Sequence, residues 1–83
     1  MVEKLTDFEW YKSLYGEVVT EDSYKLRDIT FTPTLVFDIG ANVGIFSSFA
    51  RSLWPNVKIV AIEPAPENCN LYRRFQDMSN SIL

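Results

Sequence analysis

The 83-residue sequence contains no histidine, one cysteine and three glycines. A lone Cys69 excludes an intrachain disulfide, and without histidine or a second cysteine the usual zinc ligand sets cannot be assembled. Lys and Arg nowhere cluster as a phosphate-backbone partner would require, so no nucleic-acid partner is expected. The longest uninterrupted apolar run, Ile59–Ile62, is far short of the roughly 20 residues of a membrane span. Met1–Trp10 lacks the basic-then-apolar build of a secretion signal. The expectations are therefore no membrane partner and a cytoplasmic setting.

What is present argues for folding. The sequence is 47% hydrophobic and 14% aromatic, well above the range in which chains stay disordered. Its net charge of −3 is local: residues 1–28 hold seven acids against four bases, whereas residues 29–83 hold four of each. A core of this size supplies only about 3–5 kcal/mol of net stability. Packing, or a neighbouring chain, has to do the stabilising.

The chain divides at Pro33. In residues 1–33, Leu5, Phe8 and Tyr11 or Tyr15 fall at helical spacing, which predicts a short helix over 5–15 closed by Gly16. Val18–Thr20 and Tyr24–Phe31 flank a Glu-Asp-Ser turn and predict a hairpin or an extended arm. From residue 34 the pattern sharpens. Thr34–Ile39 is an apolar run broken by one acid, as in a strand covered on both faces. Phe46, Phe49, Ala50 and Leu53 form one helical stripe, with Asn42 as N-cap and Pro55 as stop. Val57–Glu63 is a second strand. Pro66 suits the first turn of a second helix, whose core stripe is expected to be Leu71, Phe75, Met78 and Ile82. Strand, glycine turn, helix, strand, helix is the βαβα unit of a parallel doubly wound α/β sheet, with a ligand crevice at the carboxyl ends of the strands. Two strands do not complete a sheet. Residues 34–83 are accordingly expected to be the front portion of a larger domain, cut before its third strand, with a C-terminal half or a second copy of the chain completing it.

Five residues carry chemistry in this pattern. Asp38 and Glu63 end the two strands, and neighbouring strands lie about 4.8 Å apart, so both carboxylates are expected on one crevice. Gly40 and Gly44 bracket a turn where a missing Cβ lets backbone approach a ligand. Asn42 lies between them. Glu63 follows Gly44 by 19 residues, the interval at which an acid meets ribose hydroxyls. An adenosine-containing cofactor is implied. The turn is G-x-x-x-G rather than G-x-G-x-x-G, and no Lys or Arg lies near it to meet a phosphate. Asp38 brings negative charge instead, which favours a cofactor with sulfonium and ammonium groups, S-adenosylmethionine, over NAD. The purely structural alternatives are that Asp38 caps the turn, that Asn42 caps the helix and that the glycines serve packing. Cys69 is expected to pack, Arg73 and Arg74 to be solvated, and Trp10, Tyr11, Tyr15 and Trp54 to fill core or cover a sheet edge.

The segments Val36–Ser47 (VFDIGANVGIFS) and Ile59–Asn68 (IVAIEPAPEN) closely resemble the FkbM family of class I S-adenosylmethionine-dependent methyltransferases, over about residues 34–76. The resemblance implies a Rossmann-like fold and a cofactor site in which Asp38, Gly40, Ala41, Asn42 and Gly44 lie against the methionyl and ribose portion. It also implies that Glu63 binds the ribose, with Pro64, Pro66 and Asn68 completing its segment. A methyl group would pass to a hydroxyl of a small molecule or glycan. Two other classes stay open: a non-catalytic remnant or assembly segment, and a fragment of an NAD-dependent oxidoreductase.

Overall fold

The computed structural model describes residues 7–76 and 78–83. Leu5 lies outside the described residues, as does the side chain of Phe8. Helix α1 (Asp7–Tyr15) runs without a break into a π-helical turn, Gly16–Thr20. The Glu21 amide donates to the Gly16 carbonyl at 2.8 Å, the wide spacing of that turn. Gly16 therefore does not close the helix, and it has no left-handed backbone. Val18 is buried and Val19 packs beside it against the following α/β unit, and this burial outweighs the strand preference of Val-Val-Thr.

The expected hairpin is also absent among the described residues. Asp22, buried and in left-handed backbone (φ 50°), accepts the amides of Leu26 and Arg27 at 2.8 and 3.0 Å. These bonds hold a 3₁₀ turn, Leu26–Asp28. An Asp whose side chain takes amides further along the chain offers the backbone an alternative to a strand ladder. Leu26 is thereby delivered into the core.

Beyond Pro33 the elements follow the sequence closely: β1 (Leu35–Ile39), α2 (Ile45–Leu53), β2 (Lys58–Ile62), α3 (Pro66–Phe75) and β3 (Ser81–Ile82). The sheet has the order β1-β2-β3. β1 pairs with β2 in parallel, Asp38 opposite Ala61 and Ile39 opposite Ile62. β3 pairs in parallel with β2 through Ile59–Ser81 and Val60–Ile82. The expectation that the chain is cut before a third strand is thus corrected at its last residues. The architecture is α/β with a parallel sheet, as in part of a Rossmann-like fold. Among the described residues no helix is long and apolar enough to cross a membrane.

Two apolar clusters hold the unit. Val18 and Leu26 of the N-terminal arm meet Ile45, Phe49 and Ala50 of α2. Ala41 and Ala61 meet Tyr72 of α3, with Met78 and Leu83 beside them. The stripe expected on α3 is wrong by one position. Leu71 and Phe75 are exposed and Tyr72 is the buried residue, packed on Ala41 and Ala61; the helix ends at Phe75, and Ile82 belongs to β3. At the far end of the sheet Arg51 reaches the carbonyls of Pro55, Val57 and Asn80 and the Ser81 hydroxyl, pinning α2 to the start of β3.

Coverage of the sheet is one-sided. Asp38, Ile59 and Ala61 are buried, whereas Leu35, Phe37, Ile39, Ile62 and Ile82 on the other face are exposed. The apolar runs of the strands match two covered faces, and among the described residues only one is covered.

Candidate functional site

The turn between β1 and α2 is built from the end of the sheet outward. The amides of Gly40 and Ala41 both donate to the Ile62 carbonyl, at 2.8 and 3.0 Å, which ties the turn to the end of β2. Gly40 (φ 71°), Asn42 (φ 54°) and Gly44 (φ 96°) all take left-handed backbone, which glycine adopts freely and Asn tolerates. The residue preceding α2 is Gly44, not Asn42. The Asn42 side chain is used otherwise: its Oδ1 accepts from Asn68 Nδ2 at 3.2 Å.

The two glycines differ in what a side chain would meet. At Gly44 a Cβ would lie 2.6 Å from Gln76 Nε2 and 2.9 Å from Tyr72 Cδ2. Close packing of α3 over the start of α2 therefore demands glycine here. At Gly40 a Cβ would find nothing within 4 Å. That end of the turn opens onto free space.

The two carboxylates also part company. β1 alternates, so Asp38 points inward, only 6% exposed, and accepts from the Ser47 hydroxyl of α2 at 2.6 Å. Burial pushes its pKa above the ordinary carboxylate value, the Ser47 hydrogen bonds oppose the shift, and the charge of Glu63 adds to it. Beneath it lies Tyr72, fully buried, whose hydroxyl finds no partner of hydrogen-bonding geometry. Burial and the Asp38 charge raise its pKa, against a lowering influence from the neighbouring Ser47.

Glu63, just past β2, is half-buried. Its Oε1 accepts the Asn42 amide at 2.8 Å and its Oε2 the Ala65 amide at 3.0 Å. Those two amides, with Asn68 Nδ2 at 3.5 Å, hold its pKa below the ordinary value despite some burial. Pro64 is exposed beside it. Cys69 is half-buried on α3, its Sγ 3.1 Å from the Glu63 carbonyl.

A cavity of about 320 Å³ lies at the open end of the turn, against Asp38, Gly40, Ala41 and Asn42. Glu63 and Pro64 are not part of its wall. The carboxylates thus share the carboxyl end of the sheet but not one rim: Asp38 lies behind the turn, and Glu63 reaches the turn through the Asn42 amide. Their joint placement follows from the spacing seen in the sequence, while their different surroundings follow from position: Asp38 lies within β1 and is buried, whereas Glu63 lies just past β2 and is drawn to the Asn42 and Ala65 amides. A larger cavity of about 840 Å³ lies on the other side, among Trp10, Tyr11 and Tyr15 of α1, α2, and Leu71 and Phe75 of α3. Of the candidate site residues it touches Gly44 and Asn68. Trp10, Tyr11 and Tyr15 are exposed rather than core. Among the described residues no group of acids and Cys69 is arranged to hold a metal ion.

Sequence reasoning missed Tyr72 and the bond from Ser47 to Asp38. Ser47 lies beside the stripe of Phe46, Phe49, Ala50 and Leu53 rather than in it, so its burial against Asp38 was not announced by periodicity. Tyr72 carried no signal beyond its aromatic size.

Comparison with known proteins bears on the same residues. No family model matches the chain, and no solved structure matches it. The chain is 40% identical over 53 residues to methyltransferase sdnD of Sordaria araneosa, 64% of this chain and 20% of that protein. It is 43% identical over 54 residues to the 31-O-demethyl-FK506 methyltransferase FkbM of Streptomyces tacrolimicus, 64% of this chain and 21% of that one. It is 36% identical over 52 residues to the AMB antimetabolite synthetase AmbE of Pseudomonas aeruginosa, 61% of this chain and 2% of that protein. The chain spans about a fifth of the length of the first two relatives. Over somewhat under two thirds of its own length, it is similar to methyltransferases.

Proposed function

We propose that residues 34–83 are the front, cofactor-binding portion of an S-adenosylmethionine-dependent methyltransferase of FkbM type, acting on a hydroxyl of a small molecule or glycan. In this reading Leu14, Val18 and Tyr24 of the N-terminal arm wall the site. The observation that carries it is the open end of the turn. The missing Cβ of Gly40 leaves free space beside Asp38, Ala41 and Asn42, and the Glu63 carboxylate stands on the far side of the Asn42 amide.

The residues present fit the cofactor. Each oxygen of an ionised carboxylate has two acceptor sites. Glu63 spends one site of Oε1 on the Asn42 amide and both sites of Oε2 on the Ala65 amide and Asn68 Nδ2, and keeps an acceptor site on Oε1 for a ribose hydroxyl. The same amides hold Glu63 ionised and fixed in position. Gly40, Ala41 and Asn42 offer close backbone approach to the methionyl end. Asp38 sets negative potential under it and bears on a cation, whereas a pyrophosphate would be repelled. When bound, S-adenosylmethionine supplies an electrophilic methyl, which an acceptor oxygen takes as the C–S bonding pair returns to sulfur and the acceptor proton passes to a base. The contribution of this chain is to position the methyl group, a source of much of the rate gain in displacements between held reactants. The exposed apolar face of Leu35, Phe37, Ile39, Ile62 and Ile82 supports the further reading that this unit works against another layer, a C-terminal half or a second copy of the chain.

The test is a melting and calorimetric titration of the 83-residue chain with S-adenosylmethionine and with NAD. Stabilisation by the first and not the second is expected, with Glu63→Gln weakening it about tenfold or more through loss of charged acceptors. Stabilisation by NAD alone, or an affinity indifferent to Glu63→Gln, would overturn the reading.

A further inference from the structure

The cavity at the open end of the turn has a second wall that the cofactor motifs do not account for. Tyr24 of the N-terminal arm, Phe37 of β1 and Phe46 of α2 all border it, together with Asp38 and Gly40. The rings of Tyr24 and Phe46 meet at 86° with centroids 5.3 Å apart, so they form two sides of a corner. Tyr24 is 61% exposed, so part of its ring stays open to a ligand. Asp38 is the one charged group among the described residues of this wall.

We propose that Tyr24 and Phe46 form two walls of an aromatic box, backed by Asp38, that holds a methyl-bearing onium centre and so distinguishes the sulfonium of S-adenosylmethionine from the neutral thioether left after methyl transfer. The inference rests on the cofactor reading above and assigns to the N-terminal arm a role in it. The face of an aromatic ring carries negative quadrupole density and attracts organic cations, most strongly where water is displaced. Perpendicular rings present two such faces to one small volume. A phosphate or carboxylate would find no cation there and would be repelled by Asp38. A neutral thioether of the same shape keeps the apolar contact and loses the charge attraction. The box is thus specific for charge rather than for shape. It also lets the spent molecule leave more readily than the fresh one binds.

The experiment is calorimetry on the full 83-residue chain with S-adenosylmethionine and S-adenosylhomocysteine, for the natural sequence, Tyr24→Leu and Phe46→Leu. Leucine keeps apolar bulk and removes the ring face, and Tyr24 is exposed enough that its replacement leaves the fold intact. Each variant is expected to weaken S-adenosylmethionine about three- to tenfold while S-adenosylhomocysteine changes less than about twofold. A second arm uses tetramethylammonium, which should shift the ring resonances of Tyr24 and Phe46 in NMR spectra, whereas the neutral isostere neopentyl alcohol should not. If both nucleosides weaken equally, or neither does, while Glu63→Gln still lowers affinity for both, the box falls and the cofactor reading stands. If tetramethylammonium binds at these rings but S-adenosylmethionine does not bind at all, the cofactor reading falls and the onium site stands. Binding of neither sinks both.

Discussion

The turn between β1 and α2 has a dry side and a wet side, and the same residue types do opposite things on each. On the dry side Gly44 is pressed against Gln76 and Tyr72, and Asp38, though it borders the open cavity, is buried against Ser47. On the wet side Gly40 faces free space, and the half-buried Glu63 holds the backbone amides of Asn42 and Ala65. One glycine is required by packing and the other leaves room. One carboxylate is pushed towards its neutral form and the other is kept charged. A motif therefore does not assign a role evenly to its members, and the fold divides them between scaffold and site.

The largest effect expected is on the glycines. Gly44→Ala combines left-handed backbone with a Cβ 2.9 Å from the fully buried Tyr72 ring, which cannot swing aside as the Gln76 side chain can. It should cost about 2–5 kcal/mol from strain and overpacking, comparable with the whole stability of a core of this size. Urea denaturation should show the cooperative transition largely lost. Gly40→Ala meets only the backbone penalty, about 1–2 kcal/mol, and should leave a cooperative transition while lowering affinity for S-adenosylmethionine. Equal destabilisation by the two variants would erase the distinction between the sides.

The carboxylates sharpen the contrast through pH. The folded-state pKa of Glu63 lies below its ordinary 4.5, so its stabilisation is present above that value and is lost as pH falls through the folded value. Glu63→Gln should therefore lower the melting temperature at pH 7, and the gap from the natural sequence should close in acid. The folded-state pKa of Asp38 is raised above 3.8. Its favourable contribution is complete below 3.8 and is lost as pH rises through the raised value. Asp38→Asn should accordingly gain on the natural sequence as pH rises from 3.5 to 7. Parallel pH profiles for the two variants would show that both carboxylates occupy the same kind of environment.

These asymmetries mark where the sequence stops being legible. Strands, both helices beyond Pro33 and the glycine turn could be read from apolar periodicity and punctuation, because they are local. The conjunction of Asp38, the turn and Glu63 was legible too, since parallel strands must deliver their ends to the same edge. The orientation of each side chain was not. It depends on which strand face is covered, and the continuous apolar runs of Leu35–Phe37 and Ile59–Ile62 favour neither. The N-terminal arm was misjudged for a related reason: Val18 and Leu26 look like strand residues until α2 is there to bury them. The Asp22 side chain then fixes a turn that no periodicity announces.

The smallest expected effect concerns the floor of the dry side. The Tyr72 hydroxyl is buried without a partner of hydrogen-bonding geometry, near Ser47, whose own hydroxyl is committed to Asp38. A buried unpaired hydroxyl carries a desolvation cost that its removal relieves. The ring, by contrast, fills space between Ala41 and Ala61 and against the start of α2. Tyr72→Phe keeps that ring and should leave stability within about 1 kcal/mol of the natural sequence or raise it, read as an unchanged or higher melting temperature. Tyr72→Ala should cost about 3–5 kcal/mol by leaving a cavity of ring size. If Tyr72→Phe instead destabilised strongly, the hydroxyl would have to be bonded in solution, and the dry side of the turn would hold a polar network running from Tyr72 through Ser47 to Asp38.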